Sequence, residues 1–268
     1  MRMTNDELSE FYSNPTVNKF GLLPNDYLVV EFQDEGLPFH WNGNEFTIVP
    51  YHKFSSQHFG DIKPKDKDPY QMAYMDSLVR NQLTFCTGPA GSGKTQIALA
   101  YAFQEYEKGR LDKIVVFTNP YVAKDAVKLG FMPGTKTEKL LETSIGSILI
   151  SKLGDRIEVE EMITRGHLIL MPMGDARGFE VPEHSFVYFS EAQNTSKYLM
   201  KLFLQRTNDT CKICVEGDTR QTDYNEFNVE NGLLRAVQVF RGEDYAGCIN
   251  LKTIYRGKIA RKAEEICD

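Results

Sequence analysis

Apolar positions along this chain fall into short runs separated by polar or glycine-containing breaks. Leu83–Thr87, Lys113–Thr118, Leu168–Met171, Phe186–Phe189, Ile213–Val215 and Gly247–Leu251 predict strands. Between them lie stretches with helical spacing. Tyr70 to Asn81 puts Met72, Met75 and Val79 on one face, and Gln96–Phe103 has helix-forming composition. Residues 121–166 read as a loop with Gly130 and Gly134, then two helices. Leu140 to Leu153 carries an apolar face of Leu141, Ile145, Ile148 and Leu149. Strands alternating with helices predict an α/β fold with a mainly parallel sheet, whose ligands bind at the carboxyl ends of the strands.

The first 63 residues differ in pattern. Thr4-Asn5-Asp6-Glu7 is a helix-cap signal before Leu8 and Phe11. Tyr27–Phe32 predicts a strand, with Gly36-Leu37-Pro38 as its break. An Asn42-Gly43 turn signal and a second strand reach Val49. Residues 1–63 are expected to form a small, partly β appendage, with Lys63–Pro69 as a linker into a second unit over 64–268. The appendage aromatics Phe39, Trp41, Phe46, Tyr51, Phe54 and Phe59 are candidates for base stacking or, as the commoner use, for core.

The chain is 268 residues long, 41% hydrophobic and 25% charged, as for an ordinary globular protein. Its net charge of −6 provides no global basic field, so a nucleic-acid partner would need a local groove. Residues 1–15 are polar and acidic and no apolar run has membrane-spanning length, so a cytoplasmic protein with no membrane partner is expected. Cys86, Cys211, Cys214, Cys248 and Cys267 do not form a disulfide-framework pattern. Cys211 and Cys214 are formally C-x-x-C in a predicted strand, where opposite faces make one a core and one a surface thiol. The five histidines lack ligand spacing.

The stretch with the most specific chemistry is Gly88-Pro89-Ala90-Gly91-Ser92-Gly93-Lys94-Thr95, which satisfies G-x-x-x-x-G-K-[ST] between a predicted strand and a predicted helix. Glycines let the backbone close around a phosphate chain, and the helix N-terminus adds positive potential. Lys94 can reach β- and γ-phosphates, and the Thr95 hydroxyl can ligate Mg²⁺. Gln96 follows the loop. Gln71, ahead of it, has the donor–acceptor amide that can read an adenine edge, or it is a solvated glutamine. Asn119, Glu191 and Asp218 each follow a predicted strand, at the same sheet end as the loop.

With these motifs in order, the sequence resembles the PhoH-like ATPases, relatives of superfamily 1 helicases. The resemblance covers residues 64–268 and rests on GPAGSGKT, LGFMPGTKTEKL (129–140), ARGFEVPEHSFVYFSEAQNTS (176–196), EGDTRQTD (216–223) and TIYRGKIARKAEEI (253–266). It looks like the short stand-alone versions common in phages, which would put it in the host cytoplasm. The resemblance implies a RecA-like P-loop NTPase fold, ATP and Mg²⁺ as cofactors, and single-stranded nucleic acid, RNA first, as partner. It implies phosphate and metal contacts at Lys94 and Thr95, and a water-polarising role for Glu191. Asp218 and Gln221 would sense the γ-phosphate, and Gln71 would read adenine. Asn119-Pro120 matches a strand-end motif that can touch nucleic acid, and Arg177 and Arg256 match family arginines.

One departure stands out. Where the family's Walker B segment reads DEAQN, this chain has Ser190-Glu191-Ala192-Gln193-Asn194. Serine can hydrogen-bond a metal-bound water but brings no charge. The alternative reading is therefore a nucleotide-binding assembly protein with little or no turnover, and a second rival is a small-molecule phosphotransferase. Superfamily 1 helicases place nucleotide between two such domains. A chain with room for one would need an arginine from a neighbour, which favours a homo-oligomeric, hexameric ring. Arg177, Arg220 and Arg256 are the candidates for that arginine.

Overall fold

Thr4 caps the first helix, α1 (Asn5–Ser13), with a reciprocal Thr4–Glu7 capping box. The computed structural model describes residues 1–118, 136–219 and 231–263. Helix α1 lies on a small antiparallel sheet of β1 (Tyr27–Phe32), β2 (Glu35–Trp41) and β3 (Phe46–Ile48). Leu8 and Phe11 meet Val30, Phe39, Trp41 and Phe46 in a separate aromatic-rich core. The turn between β1 and β2 is made by Gln33 (φ 48°) and Asp34 (φ 64°), two left-handed residues of the kind a tight hairpin needs. The expected break at Gly36-Leu37-Pro38 is therefore corrected. Those residues lie inside β2, and Pro38 faces Val29 across the pair.

A second hairpin, β4 (Phe54–Ser56) and β5 (Gly60–Ile62), packs on the main body. The segment expected as a linker is ordered. A single 3₁₀ turn at Lys65–Lys67 leads to Asp68, whose carboxylate caps α2 (Pro69–Arg80), with Pro69 at the first helical position. Helix α2 buries Gln71, Tyr74, Met75 and Leu78, whereas Val79 is exposed. The apolar face read through Met72 and Val79 is thus corrected. The helix is wedged between the large sheet and β2, so burial spreads around it.

The large sheet contains β6 (Leu83–Thr87), β7 (Lys113–Thr118), β8 (Leu168–Pro172), β9 (Ser185–Ser190), β10 (Lys212–Gly217) and β11 (Ala246–Asn250). Its order is β11-β6-β10-β9-β7-β8, with every pairing parallel. Both faces are covered, as a parallel sheet requires. Ile114, Val116, Tyr188 and Cys214 point to one face, under α2, α3 (Lys94–Glu107) and α5 (Ser144–Leu153). Val115, Phe117, Val187, Phe189 and Val215 point to the other, under α7 (Lys197–Leu204) and α8 (Gly232–Phe240). Strand β10 separates the loop strand β6 from β9, the strand that leads into Glu191. This is the RecA-like α/β arrangement that the sequence led one to expect.

The Leu140–Leu153 face is not one helix. Helix α4 (Lys136–Leu141) ends and Thr143 caps α5, with α6 (Arg156–Thr164) following. The helices abut so closely that a Cβ on Gly146 would collide with the Leu141 backbone. Cys211 and Cys214 do face opposite layers, but both are buried, so neither is a surface thiol. Of the candidate stacking aromatics, only Tyr51 is exposed, and the other five are core. Asn119, Pro120, Arg220 and Gln221 lie outside the described residues. A short α9 (Lys258–Ala263) closes the described chain.

Phe103 joins the two parts of the molecule. It is fully buried in α3, with its ring 5.2 Å from Phe59 and 5.5 Å from His58 of the second hairpin. Phe103→Ala is expected to lower the unfolding free energy by about 3–5 kcal/mol. Urea denaturation followed by circular dichroism would measure this.

Candidate phosphate-binding site

The site is built where β6 gives way to α3. The backbone leaves the strand at Gly88, whose φ of 142° is open only to glycine, and a Cβ there would lie 2.5 Å from the carbonyl oxygen of Leu251. The loop is braced from several sides. Gly88 N–H donates to the Gly217 carbonyl, Tyr255 N–H donates to the Gly91 carbonyl, and Ser92 Oγ donates to the Pro89 carbonyl. Gln71 is buried and both ends of its amide are engaged. Nε2 donates to the Ser92 carbonyl at 2.8 Å, and Oε1 accepts from Lys65 N–H at 2.8 Å. In this conformation the predicted base-reading glutamine ties the pre-helix turn to the loop.

Lys94, the first residue of α3, folds back over the loop. Its Nζ donates to the carbonyls of Gly88 at 2.8 Å and Pro89 at 3.0 Å. It also stands 4.0 Å from Glu216 Oε2. Thr95 Oγ1 donates to Glu216 Oε1 at 3.1 Å. Glu216 lies inside β10 and its side chain is only 2% exposed. Burial pushes its carboxyl above the usual carboxylate range, with Lys94 pulling the other way and Glu191 adding to the rise.

The loop lines a cavity of about 320 Å³. Ala90, Gly91 and Gly93 to Gln96 form one wall, Ser190, Glu191 and Glu216 another, and Ile145, Ile148 and Lys152 of α5 a third. Ser190 is buried at the end of β9. Glu191, the next residue, is exposed in a left-handed conformation (φ 54°, ψ 38°) and accepts from Gln193 Nε2 at 2.6 Å. The same Gln193 amide accepts from Asp218 N–H at 3.2 Å, so one buried side chain links the ends of β9 and β10. Asp218 is buried beside that link, and it is not among the residues lining the cavity.

The two described arginines separate. Arg256 lies over the loop of its own chain, where a Cβ on Gly91 would fall 2.5 Å from Arg256 Cγ, and it lines the cavity. Arg177 is exposed on the turn after β8, donates to Tyr198 Oη at 2.9 Å, and does not line the cavity. Lys94, Thr95, Gln96, Ser190, Glu191 and Arg256 are thus brought together, and Arg177 is not.

Sequence reasoning gave no role to Glu216 or Gln193. Glu216 had a signal, a carboxylate completing the apolar run Ile213-Cys214-Val215. Gln193 had none, because its partners come from two different strands.

Fitness for a metal can be judged from the donors. A hydroxyl that donates its proton to a carboxylate keeps its lone pairs for a cation. Thr95 does so, beside Glu216 Oε2, a buried oxygen that makes no hydrogen bond among the described residues. Hard oxygen donors of this kind suit Mg²⁺.

A glycine-rich loop between a central parallel strand and a helix N-terminus, with a lysine and a threonine at its end, defines a P-loop NTPase fold. The family model described as "PhoH-like protein" matches residues 61–268, so the chain belongs to the PhoH-like family. It is 33% identical over 183 residues to a PhoH-like protein of Bacillus subtilis, covering 68% of this chain and 56% of that protein. It is 31% identical over 188 residues to protein PhoH of Escherichia coli, covering 67% of this chain and 50% of that one. The chain thus spans about half the length of these curated relatives. Among solved structures it is similar to the Pif1 helicase from Candida albicans, with a TM-score of 0.38 and 14% identity over 74% of this chain and 42% of that one. It is also similar to a Sulfolobus solfataricus SWI2/SNF2 ATPase core in complex with double-stranded DNA, with a TM-score of 0.40 and 10% identity over 75% and 46%. Among the described residues no helix is long and apolar enough to cross a membrane.

Gly88→Ala tests the loop geometry. A methyl group would strike the Leu251 backbone and require a disfavoured φ, so a loss of about 1–3 kcal/mol of stability is expected. Thermal unfolding of the variant beside the parent would measure it.

Proposed function

We propose that the protein is an Mg²⁺-dependent ATPase whose turnover is coupled to binding or remodelling single-stranded nucleic acid, RNA first, in a homo-oligomeric ring. The observation that carries this reading is the meeting of Lys94, Thr95 and Glu191 around one cavity at the carboxyl end of a parallel sheet. Lys94 exchanges its two loop carbonyls for β- and γ-phosphate oxygens, and the loop N–H groups at the head of α3 add donors. The Thr95 hydroxyl would hold Mg²⁺, which would supply charge neutralisation on the phosphates. Glu191, exposed and at the cavity edge, orients the attacking water and takes up its proton. Gln71 fixes the loop and is the candidate contact for adenine. Asp218 and Gln221 are the candidate γ-phosphate sensors.

Transition-state charge on the γ-phosphoryl oxygens calls for an arginine. Arg256 lines the cavity of its own chain, which supports service to its own loop. Arg177 does not line its own cavity and lies on an exposed turn, which supports service to a neighbouring subunit in a hexameric ring. Ser190 supports the second reading, a nucleotide-binding assembly protein with little turnover.

Phosphate release with and without single-stranded RNA separates the two readings. The ATPase reading expects turnover, raised by RNA, that Lys94→Ala abolishes. Glu191→Gln should keep nucleotide binding and lose at least about a hundredfold in turnover. Binding without phosphate release in the parent protein would leave the assembly reading. For the shared site, mixing inactive Lys94→Ala with inactive Arg177→Ala should restore part of the activity after subunit exchange. A fully active monomer in analytical ultracentrifugation would end that idea.

A further inference from the structure

We propose that Glu216 is the metal-side carboxylate of this site, doing from β10 what an aspartate at position 190 would do from β9. The inference rests on the nucleotide-binding reading above and deepens it. Its starting point is a displaced charge. Walker B at 190–191 reads Ser-Glu where the family pattern has Asp-Glu, so one carboxylate is lacking on β9. The adjacent strand supplies one. With Glu191 and Glu216 the cavity has two carboxylates on its walls.

The sheet explains how a residue on another strand can substitute. β10 lies between β6 and β9, and Cys214 pairs with Tyr188 in parallel register. Tyr188 and Cys214 both face the α3 layer. Alternation then puts Ser190 and Glu216, each two residues further on, on that same face. Glu216 sits one strand closer to the phosphate loop than Ser190. It pairs with Cys86 on β6, two residues before Gly88 opens the loop. From there its Oε1 accepts a hydrogen bond from the Thr95 hydroxyl at 3.1 Å, which leaves the lone pairs of the threonine oxygen for a cation.

Glu216 also stands as a long counter-charge to Lys94, 4.0 Å from Nζ, while the hydrogen bonds of Lys94 go to two carbonyls. The direct hydrogen bond of the carboxylate goes to the metal-ligating hydroxyl. Burying a carboxylate is costly, and beyond the long pair with Lys94 its Oε2 makes no hydrogen bond among the described residues, which leaves that oxygen open to a metal ion.

The test reads metal dependence without catalysis. The full chain is titrated with a fluorescent non-hydrolysable ATP analogue, in EDTA and across a Mg²⁺ series. Glu216→Gln is expected to need at least about tenfold more Mg²⁺ than the parent for the half-maximal effect on analogue binding, whatever its affinity in EDTA. Adding Ser190→Asp to Glu216→Gln should recover most of that shift, whereas Ser190→Asp in the parent should move the midpoint less than about threefold. A Glu216→Gln protein with an unmoved midpoint overturns the inference alone, and so does equal gain from Ser190→Asp in both backgrounds. Should Glu216→Gln not fold, as judged by circular dichroism, Ser190→Asp in the parent decides: a tenfold gain overturns the inference and a gain under threefold supports it. A parent protein that binds no nucleotide with or without Mg²⁺ overturns the functional reading and this inference with it.

Discussion

A buried ammonium group at the head of α3 sets the terms for everything around it. Lys94 is 9% exposed, and a charge withdrawn from water must be paired or solvated by the protein. Two loop carbonyls and a carboxylate from the neighbouring strand do this. The carbonyls can converge on Nζ only if the loop turns tightly, which requires glycine conformations at its start and a fixed backbone path. That path is held by Gln71 from one side and by the Leu251 and Tyr255 segment from the other. The path of the loop is therefore fixed by the chain around it, with Lys94 held against the loop carbonyls at the cavity wall.

The N-terminal segment contributes to the same rigidity. Helix α2 carries Gln71 at one end and Asp76 in its middle. The Asp76 carboxylate is 2% exposed, and burial alone would raise its pKa. Hydrogen bonds from His52, Arg80 and Tyr27 outweigh that and hold it below the usual range. Three parts of the chain thus converge on one side chain of the helix that braces the loop. Asp26 adds a second tie through a bidentate pair with Arg241, just after α8. The second hairpin is seated on α3, so the first 62 residues contact both α2 and α3.

Much of the fold was legible because it is written in local chemistry. The six strands of the large sheet are uniform apolar runs, and burial on both faces is what such runs mean. The Thr4 and Asp68 caps and the phosphate loop are signals confined to a few residues. What misled was equally local. Met72 and Val79 mark a helical face only if burial comes from one direction, and α2 is enclosed from two. The leucines of 140–153 keep a helical period across a break at Glu142-Thr143, because two short helices packing on one surface each present an apolar side. Gly36-Leu37-Pro38 reads as a stop, but the chain had already turned at Gln33-Asp34, where only Asp34 is a customary turn residue.

The candidate site divides in the same way. The sequence by itself determined the loop, its lysine and threonine, the water-facing Glu191 and the serine beside it, since each sits in a contiguous motif. Only the tertiary structure decided which carboxylate stands next to Thr95, which arginine lies over the loop, and which amide joins the ends of β9 and β10. The physical reason is the order of strands in the sheet. Glu216 lies 26 residues beyond Ser190 in the chain, yet β10 sits between β9 and the loop strand. No one-dimensional pattern of apolar and polar residues states which strands are neighbours.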